Sequence, residues 1–453
     1  MNIVIVGAGD IGLHCANVLS KEGHNVVLVD KDSQLLEMAS RESDVATRVG
    51  TGTDWQLLEE LTEIHPDLFL ALTEDDEDNI VACAIAKNLG YKQTVAFIKH
   101  SRYLNCSRVD FGRVFYVDHF ISPALLTSEN IFQKLLSPGS ISIESFAHGA
   151  IQMRTLCISD KWRKGDQRLQ DLDLPKGLMI GLISRPVGKA DDVKYQCIFP
   201  HGNDHIQTGD EVTVIGERDV VLASHQFFGS NYQPIKSAVI IGGSRVGFHL
   251  AKALEHQNIN IRLIDKDFNK CCSLSERLPY STILHHDGCD IEFLKSEKID
   301  RADALITCSE DDETNFLAAM LGKEAGCENV MVVSANTRYF PIIQRLGIVH
   351  AVSPRLSSIN RILSIAQKKT VTSIVSMYED RAEVMELRIS ANSIIAGIPI
   401  SELGPQLPKD FLIAVIQNRG RIMVANGNRI LTPGDTVIAI THPRHLKDLE
   451  SLF

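Results

Sequence analysis

Short apolar runs recur along this chain, each ending at a glycine or acidic residue and each followed by a stretch with apolar positions every three to four residues. Asn2 to Val6 is the first run, and its unbroken hydrophobicity is that of a strand buried on both faces. Beyond the glycines, Ile11, Cys15, Val18 and Leu19 fall on one helical face. Gly23 closes that helix, Val26 to Val29 is a second strand, and Asp30 stands at its carboxyl end. The same order returns as Ala238 to Ile241, Val246 to Leu254, Ile261 to Ile264 and Asp265. Further strands are expected at Leu68 to Leu72 and Thr94 to Ile98, and again at Ala304 to Cys308 and Val330 to Ser334. A last strand in each series, about Val114 to Val117 and Ile348 to Val352, leads toward Ser122-Pro123 and Ser353-Pro354. Each proline opens an apolar-periodic helix, where its missing N–H costs nothing. Strands alternating with helices of this length predict an α/β class with a doubly wound parallel sheet.

The chain contains itself twice. Gly7-Ala8-Gly9-Asp10-Ile11-Gly12 returns as Gly242-Gly243-Ser244-Arg245-Val246-Gly247, and Glu74-Asp75-Asp76-Glu77 with Asn79 returns as Glu310-Asp311-Asp312-Glu313 with Asn315. Several matches in register mark a duplicated unit. After Ser137-Pro138-Gly139-Ser140 the texture changes to short β-rich runs separated by Gly, Pro, Asn and Asp, and the stretch 371–453 shares it. Leu174-Pro175-Lys176 matches Leu407-Pro408-Lys409, and Thr208-Gly209-Asp210 matches Pro433-Gly434-Asp435. The expected organisation is two Rossmann-type domains, 1–137 and 236–369, each with a crossover helix and each followed by a small α+β domain, 138–227 and 370–453. A polar linker, Phe228 to Lys236, joins the halves.

Composition narrows the partners. A chain of 453 residues exceeds one core. Its net charge of -11 argues against nucleic acid or an anionic membrane surface as a direct partner, since both need a basic face. No apolar window reaches the ~18 residues of a membrane span. The first residues read as a strand rather than a signal peptide, so a cytoplasmic chain with reduced thiols is expected. The ten cysteines have no Cys-x-x-Cys pair; adjacent Cys271-Cys272 is a redox candidate, with buried small hydrophobes as the plainer reading.

A glycine fingerprint between strand and helix makes a tight turn, lets backbone approach a pyrophosphate, and allows helix and strand to pack closely. An Asp roughly twenty residues on is placed for a ribose diol and repels a 2′-phosphate, favouring NAD(H) over NADP(H). The alternative is a vestigial turn kept for packing. The two loops differ in charge: at ~6 Å, a unit interaction with phosphate is worth about 2–3 kcal/mol at an effective dielectric near 20. Asp10 therefore suits the diphosphate of NAD(H), and Arg245 would suit ADP or ATP, unless it is a solvated helix-start arginine. Ser244 puts a side chain where backbone should approach the ligand. Glu74 to Asp78 and Glu310 to Glu313 read first as helix caps and solvated charge, with a cation site as the alternative; Thr73 and Ser309 could reach a phosphate or ribose.

A dehydrogenase would also need an acid, base or nucleophile facing the nicotinamide. The only Tyr-x-x-x-Lys, Tyr232 to Lys236, contains Pro234 and cannot share one helical face. No Cys/His metal spacing or nucleophile elbow is present, and His285-His286 reads as structural. A transcription factor would need a basic helix-turn-helix, and neither end offers one.

Two Rossmann units with a trailing Asp-Asp-Glu-x-Asn, each followed by a small domain with Leu-Pro and Gly-Asp turns, resemble the TrkA family of Trk potassium-uptake regulators, built from tandem RCK (KTN) modules. The resemblance covers essentially the whole chain. It implies a non-enzymatic, cytoplasmic subunit, peripheral on the inner face of the membrane, that gates an integral-membrane Trk-type K⁺ channel subunit according to bound NAD(H) or ATP/ADP. It also implies an eight-module ring, here a homotetramer, with the crossover helices pairing modules. By position, the first site would use Gly7, Ala8, Gly9, Asp10, Ile11 and Gly12 at the pyrophosphate and Asp30 at the ribose, with Thr51, Thr73, Glu74 and Lys99 alongside. The second would use Gly242, Gly243, Ser244, Arg245, Val246 and Gly247, with Asp265, Asp287 and Ser309. Departures from the family pattern are Gly50-Thr51 in place of Gly-Asp, a basic pair reduced to Lys99 by Phe97, and Ser244 in the second fingerprint. The rival reading is an NAD-dependent oxidoreductase with unrecognised catalytic residues.

Overall fold

The structure, a computed structural model, describes the chain apart from residues 105–107, 136–139, 148–149, 188–193, 229–234, 349, 367–370, 378–381, 392, 405–406, 409, 419 and 446–453. Ser137-Pro138-Gly139, Tyr232 and Pro234 in the expected linker, and Lys409 lie outside the described residues.

The first repeat runs β1 (Asn2–Val6), α1 (Asp10–Lys21), β2 (Asn25–Asp30), α2 (Ser33–Glu42), β3 (Ala46–Val49), α3 (Trp55–Glu60), β4 (Leu68–Ala71), α4 (Asp76–Asn88), β5 (Gln93–Phe97), α5 (Phe111–Val114), β6 (His119–Ile121) and α6 (Pro123–Leu135). A small antiparallel sheet follows, with β7 (Ser140–Phe146), β8 (Ile151–Cys157), β9 (Leu178–Val187), β10 (Lys194–Ile198), β11 (Glu211–Glu217) and a helix, α7 (Arg218–Phe227). The second repeat begins with β12 (Ser237–Ile241), α8 (Arg245–Glu255), β13 (Asn260–Asp265), α9 (Phe268–Arg277), β14 (Ser281–His285) and α10 (Ile291–Ser296). It continues through β15 (Ala304–Thr307), α11 (Asp312–Glu324), β16 (Val330–Val333), α12 (Phe340–Arg345), β17 (His350–Val352) and α13 (Pro354–Ala366). Its small sheet is β18 (Val371–Met377), β19 (Ala382–Arg388), β20 (Phe411–Asn418), β21 (Arg421–Val424) and β22 (Thr436–Thr441).

Both large sheets are parallel with strand orders β3-β2-β1-β4-β5-β6 and β14-β13-β12-β15-β16-β17. This is the doubly wound Rossmann order, with its switch point between the first and fourth strands. The alternation of strand side chains splits the core into two layers. Ile3 and Ile5 face the layer with Ala16 and Leu19 of α1, while Val4 and Val6 face the layer with Ile80 and Cys83 of α4. Aspartates start the same three helices in each repeat: Asp32, Asp54 and Asp75 in the first, Asp267, Asp290 and Asp311 in the second, each side chain accepting from backbone N–H groups of the first turn. Each such cap is worth about 1 kcal/mol.

The two Rossmann modules form one compact unit. Ile359, Ile362 and Ala366 of α13 enter the core layer of the first module beside Ala16 and Leu19, so the last helix of the second module completes the first. Asn130 Nδ2 of α6 donates to Ser357 Oγ of α13 at 2.9 Å, joining the two crossover helices.

One expected strand is corrected. Val114 to Val117 is not extended: Phe111–Val114 is a helical turn started by the Asp110 side chain, and Tyr116 takes a left-handed φ of 55°. The strand lies later, at His119–Ile121, pinned to β5 by the Asp118 carboxylate, which accepts from Thr94 N at 2.8 Å. The counterpart of Tyr116 in the second repeat is Gly347, at φ 77°, the residue best suited to that conformation.

The two small sheets form the second compact unit. Their orders, β10-β9-β11-β8-β7 and β21-β20-β22-β19-β18, are one topology. They share a core in which Ile151, Met153 and Leu182 meet Val384, Val415 and Ile440. Contact is close at Gly181, where a Cβ would stand 2.4 Å from the Ile440 Cδ1 atom. The Gly-Asp turns are built around buried carboxylates. Asp210 accepts from Gln207 N and from both Nε and Nη2 of Arg185, and Asp435 accepts from Thr432 N and Oγ1.

Candidate functional site

Each glycine loop leaves the first strand of its sheet at the switch point, on the edge formed by the strands' carboxyl ends. Gly7 has φ 106°, and a Cβ on it would lie 2.8 Å from Leu72 O; Gly242 has φ 109°, and a Cβ there would lie 2.4 Å from Ser309 N. The last glycine of each fingerprint lets the helix pass over the turn. A Cβ on Gly12 would stand 1.9 Å from Gly7 O, and one on Gly247 2.2 Å from Gly242 O. These contacts are backbone against backbone, so no side-chain motion relieves them.

Asp30 and Asp265 hold their loops. Asp30 Oδ2 accepts from Ala8 N at 2.6 Å and Oδ1 from Asp32 N at 2.9 Å. Asp265 repeats this with Gly243 N at 2.6 Å and Asp267 N at 2.8 Å. Ionised carboxylates make strong bonds of this kind and retain further lone pairs for a ligand hydroxyl. Ala8 and Val246 are buried, so only their backbone could face a ligand, and Ile11 packs partly against the core.

Ser244 does not obstruct the second loop as its sequence position suggested. Its hydroxyl turns inward, donating to Cys308 O and accepting from Gly247 N at 3.3 Å as the N-cap of α8. Position 9 explains why a serine fits: a Cβ on Gly9 would meet no protein atom within 4 Å. The Cys308 thiol beneath is buried and pushed up to about 12, so it stays protonated and inert.

The flanking candidates are brought to the same edge. Thr73 Oγ1 donates to Asn79 Oδ1 at 2.7 Å, and Ser309 Oγ donates to Asp311 O at 3.1 Å. Lys99 Nζ is ion-paired with the exposed Glu74, across the ends of β4 and β5. Thr51 follows β3 with its hydroxyl 3.3 Å from that of Thr53, and Asp287 accepts from Cys289 N at 2.9 Å.

The acidic repeat is a clamp on the sheet. Asp75 and Asp311 cap α4 and α11. The next aspartate in each ties down the loop after the fifth strand: buried Asp76 accepts from Lys99 N, His100 N and His100 Nδ1, and Asp312 from Ala335 N, Asn336 N and Ser334 Oγ. Asn79 then accepts from Thr73 N and donates to Thr73 O and Phe97 O, joining the ends of β4 and β5. Asn315 does the same with Ser309 and Val333 O.

A cavity of about 370 Å³ opens beside the second loop. Arg245 and Arg277 line it, together with Lys270 and His249 from the second module and His100 and Arg102 from the first. The Arg277 guanidinium lies over the Phe248 ring at 3.9 Å, Lys270 is 3.9 Å from Glu310, and Arg245 Nη2 is 3.4 Å from His100 Nε2. Burial, then the charges of Lys252 and Arg277, lower the pKa of His249 and keep it neutral. At the first loop Asp10 instead faces Arg355 of α13, with 3.5 Å between Nη1 and Oδ2. Sequence reasoning missed His100, Arg102 and Arg355, which come from the other module, and Lys270 and Arg277, which lie one helix further on, because no local spacing signals them. The rings of His285 and His286 lie against Phe268 and Phe293. Cys271 is buried against Asp265 O and Leu284 O, whereas Cys272 is exposed.

A duplicated Rossmann module, paired through a crossover helix and followed in each repeat by a small antiparallel sheet, defines a tandem Rossmann-fold protein. The TrkA-N domain matches residues 3–123 and 238–354, and the TrkA-C domain matches residues 384–453. The chain is 30% identical over 464 residues to the Trk system potassium uptake protein TrkA homolog 1 of Methanosarcina mazei, covering all of both chains. It is 29% identical to the TrkA protein of Haemophilus influenzae, over 100% of this chain and 98% of that one. Among solved structures, the GsuK channel bound to NAD superimposes with a TM-score of 0.61 at 16% identity, covering 100% of this chain and 78% of that one. The GsuK RCK domain gives 0.59 at 16% identity, covering 99% of this chain and 94% of that one. The chain belongs to the TrkA family of Trk-system potassium uptake proteins. That family comprises regulators and not enzymes, which sets aside the oxidoreductase reading.

Proposed function

We propose that this chain is the nucleotide-sensing subunit of a potassium-uptake system, binding NAD(H) at the first glycine loop and ATP or ADP at the second, and gating a membrane K⁺ channel subunit accordingly. The observation that carries the reading is the duplicated loop-and-aspartate cradle, with Asp30 and Asp265 each holding a backbone N–H of its loop and retaining acceptors for a ribose. The same reading assigns Thr51, Thr73, Glu74 and Lys99 to the first site and Asp287 and Ser309 to the second. Support for a polyphosphate at the second loop comes from its cavity, where Arg245, Lys270, Arg277 and Arg102 outnumber Glu310. A fold shared with a channel solved bound to NAD supports nucleotide sensing at the level of the fold.

The domain boundaries proposed are 1–137, 138–227, 236–369 and 370–453. The reading places the chain in the cytoplasm and at the membrane through its partner; among the described residues no helix is long and apolar enough to cross a membrane. A homotetramer forming an eight-module ring is supported by apolar surface duplicated in the two modules. Val81 and Leu317 occupy equivalent positions on α4 and α11, and both are exposed; Phe115 and Leu346 follow the two short helices at their sides. The test is rubidium flux through vesicles holding the Trk-type membrane subunit with and without this chain. Flux that responds to NADH and ATP only when the chain is present supports the reading, and flux indifferent to both nucleotides rejects it.

A further inference from the structure

Arg355 belongs to the second module by sequence and to the first glycine loop by position. It is the second residue of α13, and its guanidinium lies against the first residue of α1. Nη1 is 3.5 Å from Asp10 Oδ2, and Nη2 donates to Asp10 O at 3.3 Å. Its charge reaches into the helix: after burial it is the next cause of the lowered pKa of His14, and it opposes the burial that raises the Cys15 thiol. The position is set by packing, since Ile359, Ile362 and Ala366 of the same helix are buried against Ala16 and Leu19 of α1.

The geometry points to Arg355 as a phosphate-contacting residue of the first nucleotide site, supplied by the other repeat; this rests on reading the first loop as a dinucleotide site. A guanidinium carries five N–H donors in a planar fork that matches phosphate oxygens. Its contacts to Asp10 are long, and the Asp10 side chain is 85% exposed, so that pair holds Arg355 only loosely. A pyrophosphate at the loop would present a denser negative charge to the same group while the guanidinium offsets the repulsion from Asp10.

The second loop has the reverse arrangement. Arg245 stands at the position of Asp10, and Ala124 at the position of Arg355. Each loop thus has an arginine beside the first residue of its helix, from within the loop at the second site and from the opposite module at the first. The affinity of the first site then depends on how the modules are paired, and by linkage its ligand biases that pairing.

The test is calorimetric titration of the full chain and its Arg355→Ala, Arg355→Lys and Asp10→Asn/Arg355→Ala variants with NADH, followed by ATP. The expected result is NADH affinity reduced about tenfold or more in Arg355→Ala and partly kept in Arg355→Lys. Removing the unpaired Asp10 charge in the double variant should recover part of the loss, with ATP titration unchanged throughout. NADH affinity within twofold of the parent in Arg355→Ala, while Asp30→Ala abolishes it, overturns the role of Arg355 and leaves the site reading standing. An equal fall in NADH and ATP binding overturns it too, because it reports damaged module pairing. A parent chain that binds no NADH removes both.

Discussion

Two glycines of the first loop make opposite demands on a side chain. A Cβ on Gly12 would sit 1.9 Å from Gly7 O, whereas one on Gly9 would meet no protein atom within 4 Å. Gly12→Ala should therefore destabilise the chain by about 2–3 kcal/mol, as overpacking against fixed backbone does. Gly9→Ser should shift stability by no more than about 0.5 kcal/mol, since the second repeat already carries Ser244 there. Paired thermal melts of the two variants check this. Histidines add a pH dependence: His14 and His249 are depressed in the fold, chiefly by burial. The unfolded chain binds their protons first, so their contribution is intact above about pH 6.5 and is lost as the pH falls below it. Denaturation midpoints should drop between pH 7.5 and 5.5, and less so in His249→Gln. The glycines and Asp30 were legible in the sequence because their spacing is local. Arg355 was not, since it lies 345 residues from Asp10 and only packing brings the two together.

At the scale of elements, the strands were readable wherever an apolar run met a helix of opposite period, because buried parallel strands leave no polar alternation to confuse with a surface. The exception is instructive. Val114-Phe115-Tyr116-Val117 has strand composition, yet Asp110 starts a helical turn there and Tyr116 bends the chain out of it. The Asp-Asp-Glu-x-Asn repeat was legible as a motif and as a helix cap, which Asp75 and Asp311 provide, but the ties made by the second aspartate and the asparagine were not. Asn79 joins two strand ends with both its amide groups, and Asp76 satisfies two buried-side backbone donors. Asn79→Ala should cost about 2–4 kcal/mol by leaving several of these groups unpaired. Hydrogen exchange should show the loss concentrated at Thr73 and at the end of β5.

For the whole molecule, duplication was plain from the residues themselves, while pairing of the modules through their crossover helices came only with the family resemblance. An amphipathic helix carries no address for its partner, so nothing in α13 announces that it completes the core of the other module. The proposed ring predicts that charge on the duplicated apolar surface breaks assembly without unfolding the modules. Val81→Asp with Leu317→Asp should reduce the particle mass seen by light scattering from tetramer toward smaller species, with circular dichroism unchanged. Whether the two loops are separate nucleotide sensors is decided by calorimetry in which the chain is titrated with NADH and, once saturated, with ATP. One NADH should bind per chain, lost in Asp30→Ala, followed by undiminished ATP binding that is lost in Asp265→Ala. ATP finding no site on the NADH-saturated chain, or NADH affinity unchanged in Asp30→Ala, would rule out two separate sensors.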